Sequence, residues 1–350
     1  MSESPSGTDV GARATVRYRL DPAPPAGEPQ LTDAVGTVLA NGAEAIVLET
    51  RSGRLTIPRR LVVATRIVPA ARPRRGVVGA DRTPLALHDL VAGAWPAMET
   101  ARLGGWLLRA SCGFTARGNS VVPVGDPGMP LGAAVEAVEE WYAARSLPAN
   151  FTLTDAHPAA RVTGEVTVDG RRDPLGALLL DRGYAVSDPS LFLTASVAGV
   201  RRRVGAAGEG GSGGGPRSGF TVRTGRDLTE GWLAAYDGYR AGDRAALEAI
   251  LTGTPVRSFA EARDGERTVG VGRLGVTGPW GGLAAMWVDP AYRRRGVAVA
   301  MFVALVDAAA SAGVASLHLQ VWAHNAPARA LYERLGFRRH HAYVNAGLAP

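Results

Sequence analysis

Trp287-Val288-Asp289-Pro290-Ala291-Tyr292-Arg293-Arg294-Arg295-Gly296-Val297-Ala298 is the stretch whose reading decides the fold. It joins a strand expected over residues 282–288 to a helix expected over residues 297–312. The turn between them is basic and carries a glycine immediately before the helix. A helix start presents unpaired backbone N–H groups and a partial positive charge. Glycine lets the backbone approach an anion closely and adopt dihedrals other residues avoid. With three arginines alongside, the segment reads as a cradle for a diphosphate.

Beyond the expected helix comes Leu317-His318-Leu319-Gln320-Val321, a second strand by composition. It is followed by His324-Asn325 and then Ala330-Leu331-Tyr332-Glu333-Arg334-Leu335-Gly336-Phe337. The order is strand, R-x-x-G-x-A cradle, helix, strand, Asn and A-L-Y-E-R-L-G-F. It resembles the GCN5-related N-acetyltransferase (GNAT) family over residues from about 219 to 345. Ala298 stands where the family often has glycine, a small change.

The resemblance implies a mixed sheet in which the two strands splay apart. Pantetheine then adds to the exposed strand edge at Met286, Trp287 and Val288, a form of strand addition. The diphosphate falls on the amides of Arg294, Arg295, Gly296, Val297 and Ala298, flanked by the side chains of Arg293, Arg294 and Arg295. Tyr332 matches the family tyrosine proposed to protonate the departing thiolate. Asn325 either holds pantetheine or caps the following helix. The implied chemistry is acetyl-CoA-dependent N-acetyl transfer by direct attack of an amine, from a small molecule or a protein. The implied stabiliser of the thioester oxygen is the backbone N–H of Val288. The central strand carries no glutamate, so Glu261, on a hairpin built across Asp264-Gly265, is the carboxylate candidate for the base.

At 350 residues the chain is longer than one ordinary core requires, which predicts two or three domains. No long apolar run spans a membrane and the N-terminus lacks a signal-peptide pattern, so a cytoplasmic protein is expected. The single cysteine, Cys112, precludes an intrachain disulfide. The net charge is +7 and every Lys-or-Arg position is arginine. Such a balance fits a GC-rich coding sequence, which favours Arg, Ala and Gly, and it also suits an anionic co-substrate or nucleic acid. The N-terminal segment has Tyr18 as its sole aromatic, which disfavours a stacking platform for single strands. Six histidines and one cysteine show no metal-ligand spacing, and no metal is expected. His340-His341 is a tempting pair, but adjacent strand residues face opposite ways. His318 alternates with Leu317 and Leu319 and is expected on the opposite, surface face.

The expected fold class is α/β (α+β). A small N-terminal SH3-like β-barrel precedes two GNAT-like mixed-sheet units, the second holding the acyl-CoA site. Residues 1–12 are expected to be disordered, 13–70 to form the barrel and 71–82 a linker. Residues 83–203 form a degenerate GNAT-like unit, 204–218 a Gly-rich linker and 219–350 the catalytic domain. Short strands flanking Asn41-Gly42 support the barrel. A helix over 85–100, a strand over 119–124 and a strand over 191–197 are expected in the middle unit. Its Ala177-to-Tyr184 segment lines up with Ala330-to-Phe337, which suggests a repeat. The corresponding cradle, Gly125-Asp126-Pro127-Gly128, has an aspartate and no arginine, so acyl-CoA is not expected there. The arrangement resembles actinobacterial GNAT proteins with an N-terminal SH3-like barrel, and tandem GNAT enzymes. The alternative is a non-catalytic protein that senses acyl-CoA, or binds nucleic acid or a partner through the barrel.

Overall fold

Five runs of alternating apolar and polar residues open the chain, and each becomes a strand. In the computed structural model these are β1 (Arg13–Arg19), β2 (Leu31–Asn41), β3 (Ala45–Thr50), β4 (Gly53–Pro58) and β5 (Val62–Ile67). The structure describes residues 10–22, 24–25, 29–50, 53–67, 82–154, 168–209, 219–237 and 243–348. The strands form one antiparallel sheet in the order β4-β3-β2-β1-β5. Its core is Ala14, Val16, Val38, Ile46, Leu48 and Ile57. The expected Asn41-Gly42 turn joins β2 to β3, with the Gly42 N–H bonded to the Ala45 carbonyl. Among the described residues no ladder joins β4 to β5, so the SH3-like barrel is observed as a five-stranded sheet.

This sheet belongs to one compact unit, and nearly all the remaining chain forms a second. The second begins with helix α1 (Pro84–Leu90) and a single 3-10 turn, Ala92–Ala94, followed by the hairpin β6 (Glu99–Leu103) and β7 (Trp106–Ala110). The expected helix over 85–100 is thus cut short. Gly93 disfavours helix and Pro96 pushes its predecessor out of helical dihedrals. Then come α2 (Leu131–Ala143), β8 (Asn150–Thr154), α3 (Pro174–Asp181), β9 (Ala185–Val186), β10 (Ser190–Ser196) and α4 (Val197–Glu209). The strand expected over 119–124 is two isolated bridges, Leu107 to Val122 and Val121 to Phe151. The segment expected to begin a linker at 204 is helical as far as Glu209. The expectations for residues 1–9, 68–81 and 210–218 lie outside the described residues.

The C-terminal part supplies β11 (Thr221–Gly225), α5 (Glu230–Asp237), α6 (Arg244–Thr252), β12 (Arg257–Asp264), β13 (Arg267–Thr277) and β14 (Trp280–Val288). It continues with α7 (Val297–Ser311), β15 (Ser316–Trp322), α8 (Ala326–Arg334) and β16 (Arg338–Gly347). The hairpin across Asp264-Gly265 is present, with Gly265 at φ 58°.

Where two separate mixed sheets were expected, the described residues form one of nine strands, in the order β11-β12-β13-β14-β15-β10-β16-β8, with β9 also on β16. Strand β10 pairs antiparallel with β15 along seven residues, Ser190 opposite Trp322 to Ser196 opposite Ser316, and with β16 on its other edge. A strand of the middle segment therefore completes the sheet that holds the cradle. One face of it packs Leu191, Leu193, Leu317 and Leu319 against Met301, Phe302 and Leu305 of α7. The likeness between residues 177–184 and 330–337 has a local cause. In both, a helix ends at a glycine with positive φ, Gly183 or Gly336, and the next N–H bonds a carbonyl five residues back. Helices α2 and α7 end with the same bond, Leu147 to Tyr142 and Val314 to Ala309.

Candidate active site

The parallel ladder between β14 and β15 runs from Trp280 opposite Ser316 to Leu283 opposite Leu319 and stops there. Beyond it β14 continues to Val288 along β13 alone. The register against β13 shifts between Val271 and Arg273, and Ala285 sits at φ 54°. A bulge of this kind bends the strand and sharpens its twist, which turns β14 away from β15. A cleft opens between them, with a volume of about 230 Å³. Leu283 to Met286 line one side and Leu319 to Trp322 the other. Met286 lines the cleft, whereas Trp287 and Val288 continue the half-buried edge towards the turn.

That turn is fastened before the cradle begins. Asp289 accepts from the Ala291 N–H at 2.9 Å and pairs with Arg267 at 2.6 Å, so it is the turn residue its place before proline suggests. Tyr292 donates to Asp264 at 2.7 Å and lies 5.1 Å beneath the Arg295 guanidinium. Arg293 donates to the Val288 carbonyl at 3.2 Å. Arg294 at φ 63° and Gly296 at φ 87° then turn the backbone into α7. Such left-handed turns make concave nests of N–H groups. The first bond into the helix runs from the Ala300 N–H to the Gly296 carbonyl at 3.0 Å, so the amides of Val297 and Ala298 precede the helical ladder. Nothing lies within 4 Å of where a Cβ on Gly296 would stand. The space over these amides is open, and Arg293, Arg294 and Arg295 are exposed around it.

Helix α8 closes the other side. Asn325 caps it, its Oδ1 accepting from the Ala328 N–H at 3.2 Å, and it also lines the cleft. Tyr332 lines the same cleft, half-buried, with its ring 5.9 Å from Phe302 and 6.1 Å from Phe337. Glu261 is not brought there. Its carboxylate accepts from Thr229 at 3.0 Å and Thr268 at 2.5 Å, and it is absent from the cleft lining.

The second sheet face was not legible in advance. His318 is 3% exposed, stacked on Phe192 at 5.3 Å, with no hydrogen-bond partner for either ring nitrogen among the described residues. Burial pushes its pKa down to about 3. The expected surface histidine is buried because α1 and the residue that ends it cover this face, Leu87 and Val91 packing on Phe192 and Trp280. His340 and His341 do not point apart. A bulge opposite Phe192 and Leu193 brings their Nδ1 atoms within 2.9 Å. The His341 Nε2 lies 2.9 Å from that of His88 on α1. Burial pushes His341 down to about 3 and His88 well below its usual value. Among the described residues no group of His, Cys, Asp and Glu is placed to hold a metal ion.

Side chains from distant segments also reach the cleft: Trp95, Arg117, Ser190, Tyr236 and Tyr343. Sequence reasoning missed all five. None has a motif, and their common position depends on β10 joining the sheet and on the 111–119 loop.

The sheet thus splays at its centre beside a basic turn whose backbone amides are open. Residues 226–337 match the family model described as acetyltransferase (GNAT) family. Residues 86–168 match "Probable histone acetyltransferase Rv0428c C-terminal" and residues 8–66 the Rv0428c N-terminal Sm-like domain. The uncharacterized N-acetyltransferase YobR of Bacillus subtilis is 26% identical over 255 residues, 72% of this chain and 93% of that protein. The probable histone acetyltransferase Rv0428c of Mycobacterium tuberculosis is 36% identical over 151 residues, 42% of this chain and 45% of that one. A solved GCN5-related N-acetyltransferase from Kribbella flavida shares the fold, with a TM-score of 0.52 at 15% identity, covering 78% of this chain and 96% of that one. The chain thus carries a GNAT acetyltransferase domain over residues 226–337, preceded by segments similar to the Sm-like and C-terminal domains of Rv0428c.

Proposed function

We propose that the cleft between β14 and β15 binds acetyl-CoA and that the protein transfers its acetyl group to the amine of a small molecule or protein. One observation carries this reading: the ladder ends at Leu283 and Leu319, and the cradle of Arg294 to Ala298 stands at the far end of the exposed edge. The pantetheine arm adds to Met286, Trp287 and Val288 as an extra strand would. The diphosphate meets the amides of Gly296, Val297 and Ala298, with Arg293, Arg294 and Arg295 around it. The family uses acetyl-CoA, which supplies an activated acyl group. A neutral amine attacks the thioester carbonyl, the carbon–sulfur bond breaks, and the Tyr332 hydroxyl gives its proton to the leaving sulfur. The amine proton then returns to the tyrosine, directly or through water. Asn325 holds the start of α8, and so the place of Tyr332. The domain reading that follows is a catalytic sheet shared by residues 83–203 and 219–350, with the N-terminal segment separate.

The test is CoA release and acetyl-CoA binding in wild type and Gly296→Glu. The added carboxylate projects into the open space above the amides and repels the diphosphate. We expect acetyl-CoA affinity to fall by at least about a hundredfold, on the order of 3 kcal/mol. Unchanged affinity would remove the cradle assignment. Acyl-CoA sensing without turnover is the second reading. One observation favours it: among the described residues no aspartate or glutamate lines the cleft. Amine-dependent CoA release decides between the two.

A further inference from the structure

The cleft runs through the sheet, and its two mouths are lined by different segments. On the face that α7 covers, Met286 and Tyr332 border it and pack with the α7 cluster. On the opposite face it is bordered by Trp95, Tyr236, Ala284 and Ala285, which pack with the cluster under α5 and α6. An acyl carrier laid along β14 from the cradle occupies the first mouth, which leaves the second for the amine. The cleft of about 230 Å³ must also take the thioester end of the carrier, so the room left for an acceptor is small.

Trp95 comes from the middle segment, and both its backbone and its ring are held. The 3-10 turn Ala92–Ala94 sits directly on the sheet, where Gly275 of β13 stands opposite Gly282 of β14. A Cβ on Gly275 would run into the Ala94 carbonyl, and one on Gly282 would stand 2.7 Å from the Ala94 Cβ. Glycine inside a strand is what lets another backbone come this close. Arg273, fully buried, donates to the Ala94 carbonyl at 2.7 Å, the Leu251 carbonyl at 2.8 Å and the Thr254 hydroxyl at 2.8 Å, which ties the turn to the end of α6. The Trp95 N–H bonds the Ala92 carbonyl at 3.1 Å, and its indole N–H donates to the Thr115 hydroxyl at 3.2 Å. The Arg117 guanidinium lies 4.6 Å over the ring. In the same cluster Tyr236 stacks on Trp232 at 5.2 Å, and the Trp232 indole donates to the Ala260 carbonyl at 3.1 Å. A ring packed and bonded in this way does not swing aside for a bulkier ligand.

We propose that Trp95 is the specificity-determining residue of the acceptor end: its ring closes the second mouth and restricts the acceptor to an amine on a slender, unbranched stem. The proposal rests on the acetyl-CoA reading and names what limits the acceptor of that site. The reaction is unchanged: the amine nitrogen bonds to the acyl carbon, the carbon–sulfur bond breaks, and a proton passes from the amine to the CoA sulfur.

The experiment measures binding to the full chain of unreactive conjugates in which the CoA sulfur is joined through –CH2–CO–NH– to a methyl, n-butyl, isobutyl, cyclohexylmethyl or benzyl group. Each carries its substituent to wherever the acceptor lies, so the natural acceptor need not be known. Affinities are taken relative to that of CoA for the same variant. In wild type the cyclohexylmethyl and benzyl conjugates should bind at least about tenfold more weakly than the n-butyl one, the range of overpacking. In Trp95→Ala that penalty should vanish, and in Trp95→Phe it should shrink, with CoA affinity itself within about twofold of wild type. A wild type indifferent to the size of the group, or an unchanged penalty in both variants, overturns the proposal and leaves the acetyl-CoA assignment standing. Should Trp95→Ala lose CoA binding, Trp95→Phe decides by the same comparison. Loss in both variants makes Trp95 a support of the fold and also overturns the proposal. A wild type that does not bind CoA removes the acetyl-CoA reading itself.

Discussion

Tyr332 shows how far one residue can be read. Its motif context nominates it, and the structure sets it in the cleft with its ring against Phe302 and Phe337. Tyr332→Phe keeps that ring packing and removes only the hydroxyl. We expect acetyl-CoA affinity within about twofold of wild type and kcat lowered about ten- to a hundredfold, as for loss of a general acid. Binding and steady-state measurements on one preparation check both halves. An unchanged kcat would move the proton transfer elsewhere. For Asn325 the two readings are compatible, because the side chain that caps α8 also borders the cleft. Glu261 was nominated for want of another carboxylate, and its partners Thr229 and Thr268 lie outside the cleft lining. Side-chain type is legible in a sequence; what a side chain bonds to across a sheet is not.

At the scale of elements, two bulges matter. One at Ala285 bends β14 out of its ladder and opens the cleft. The other lets His340 and His341 meet, against strict alternation. Both are single extra residues, and an extra residue leaves the composition of a strand unchanged. The histidines that β15, β16 and α1 bury together carry a pH dependence. His318 and His341 are lowered from the usual 6.5 to about 3. Between those values the unfolded imidazole takes a proton and the folded one does not. Their contribution to stability is therefore complete above about pH 6.5 and lost as pH falls towards 3, at up to about 1.4 kcal/mol per pH unit for each ring. Among the described residues His318 has no hydrogen bond to lose. We expect His318→Leu to flatten the slope of unfolding free energy between pH 4.5 and 6 by about that amount, with a stability near wild type at pH 7.5. Denaturant titrations at several pH values measure it, and an unaltered slope would place the acid sensitivity in the other rings.

For the whole molecule, the decisive feature is β10. It lies between β15 and β16, bonded along seven residues to one and five to the other. A chain beginning at residue 219 would leave both ladders open, with two edges prone to wrong pairing. We expect such a fragment to lack a cooperative thermal transition and to bind acetyl-CoA at least about tenfold more weakly than the full chain. A chain beginning at residue 82 omits the N-terminal sheet but keeps the nine-stranded one, and should retain wild-type affinity. Calorimetry and acetyl-CoA titration on the two fragments test this. A cooperative, fully binding 219–350 fragment would show that β10 can be dispensed with.

The sequence by itself determined what depends on neighbouring residues. It nominated the turn at Arg293 to Ala298 as a candidate cradle and Asn325 as either a cap or a pantetheine contact, along with the strands and helices that carry them. Each follows from local rules: the dihedral freedom of glycine, an unpaired helix start, a period of two or of 3.6 residues. Only the tertiary structure decided that the middle segment lends β10 to the catalytic sheet, that His318 is buried, and that Trp95 and Arg117 reach the cleft. Periodicity tells which residues share a face of a strand. It does not tell what covers that face, because the covering element, α1, lies more than 200 residues away in the chain.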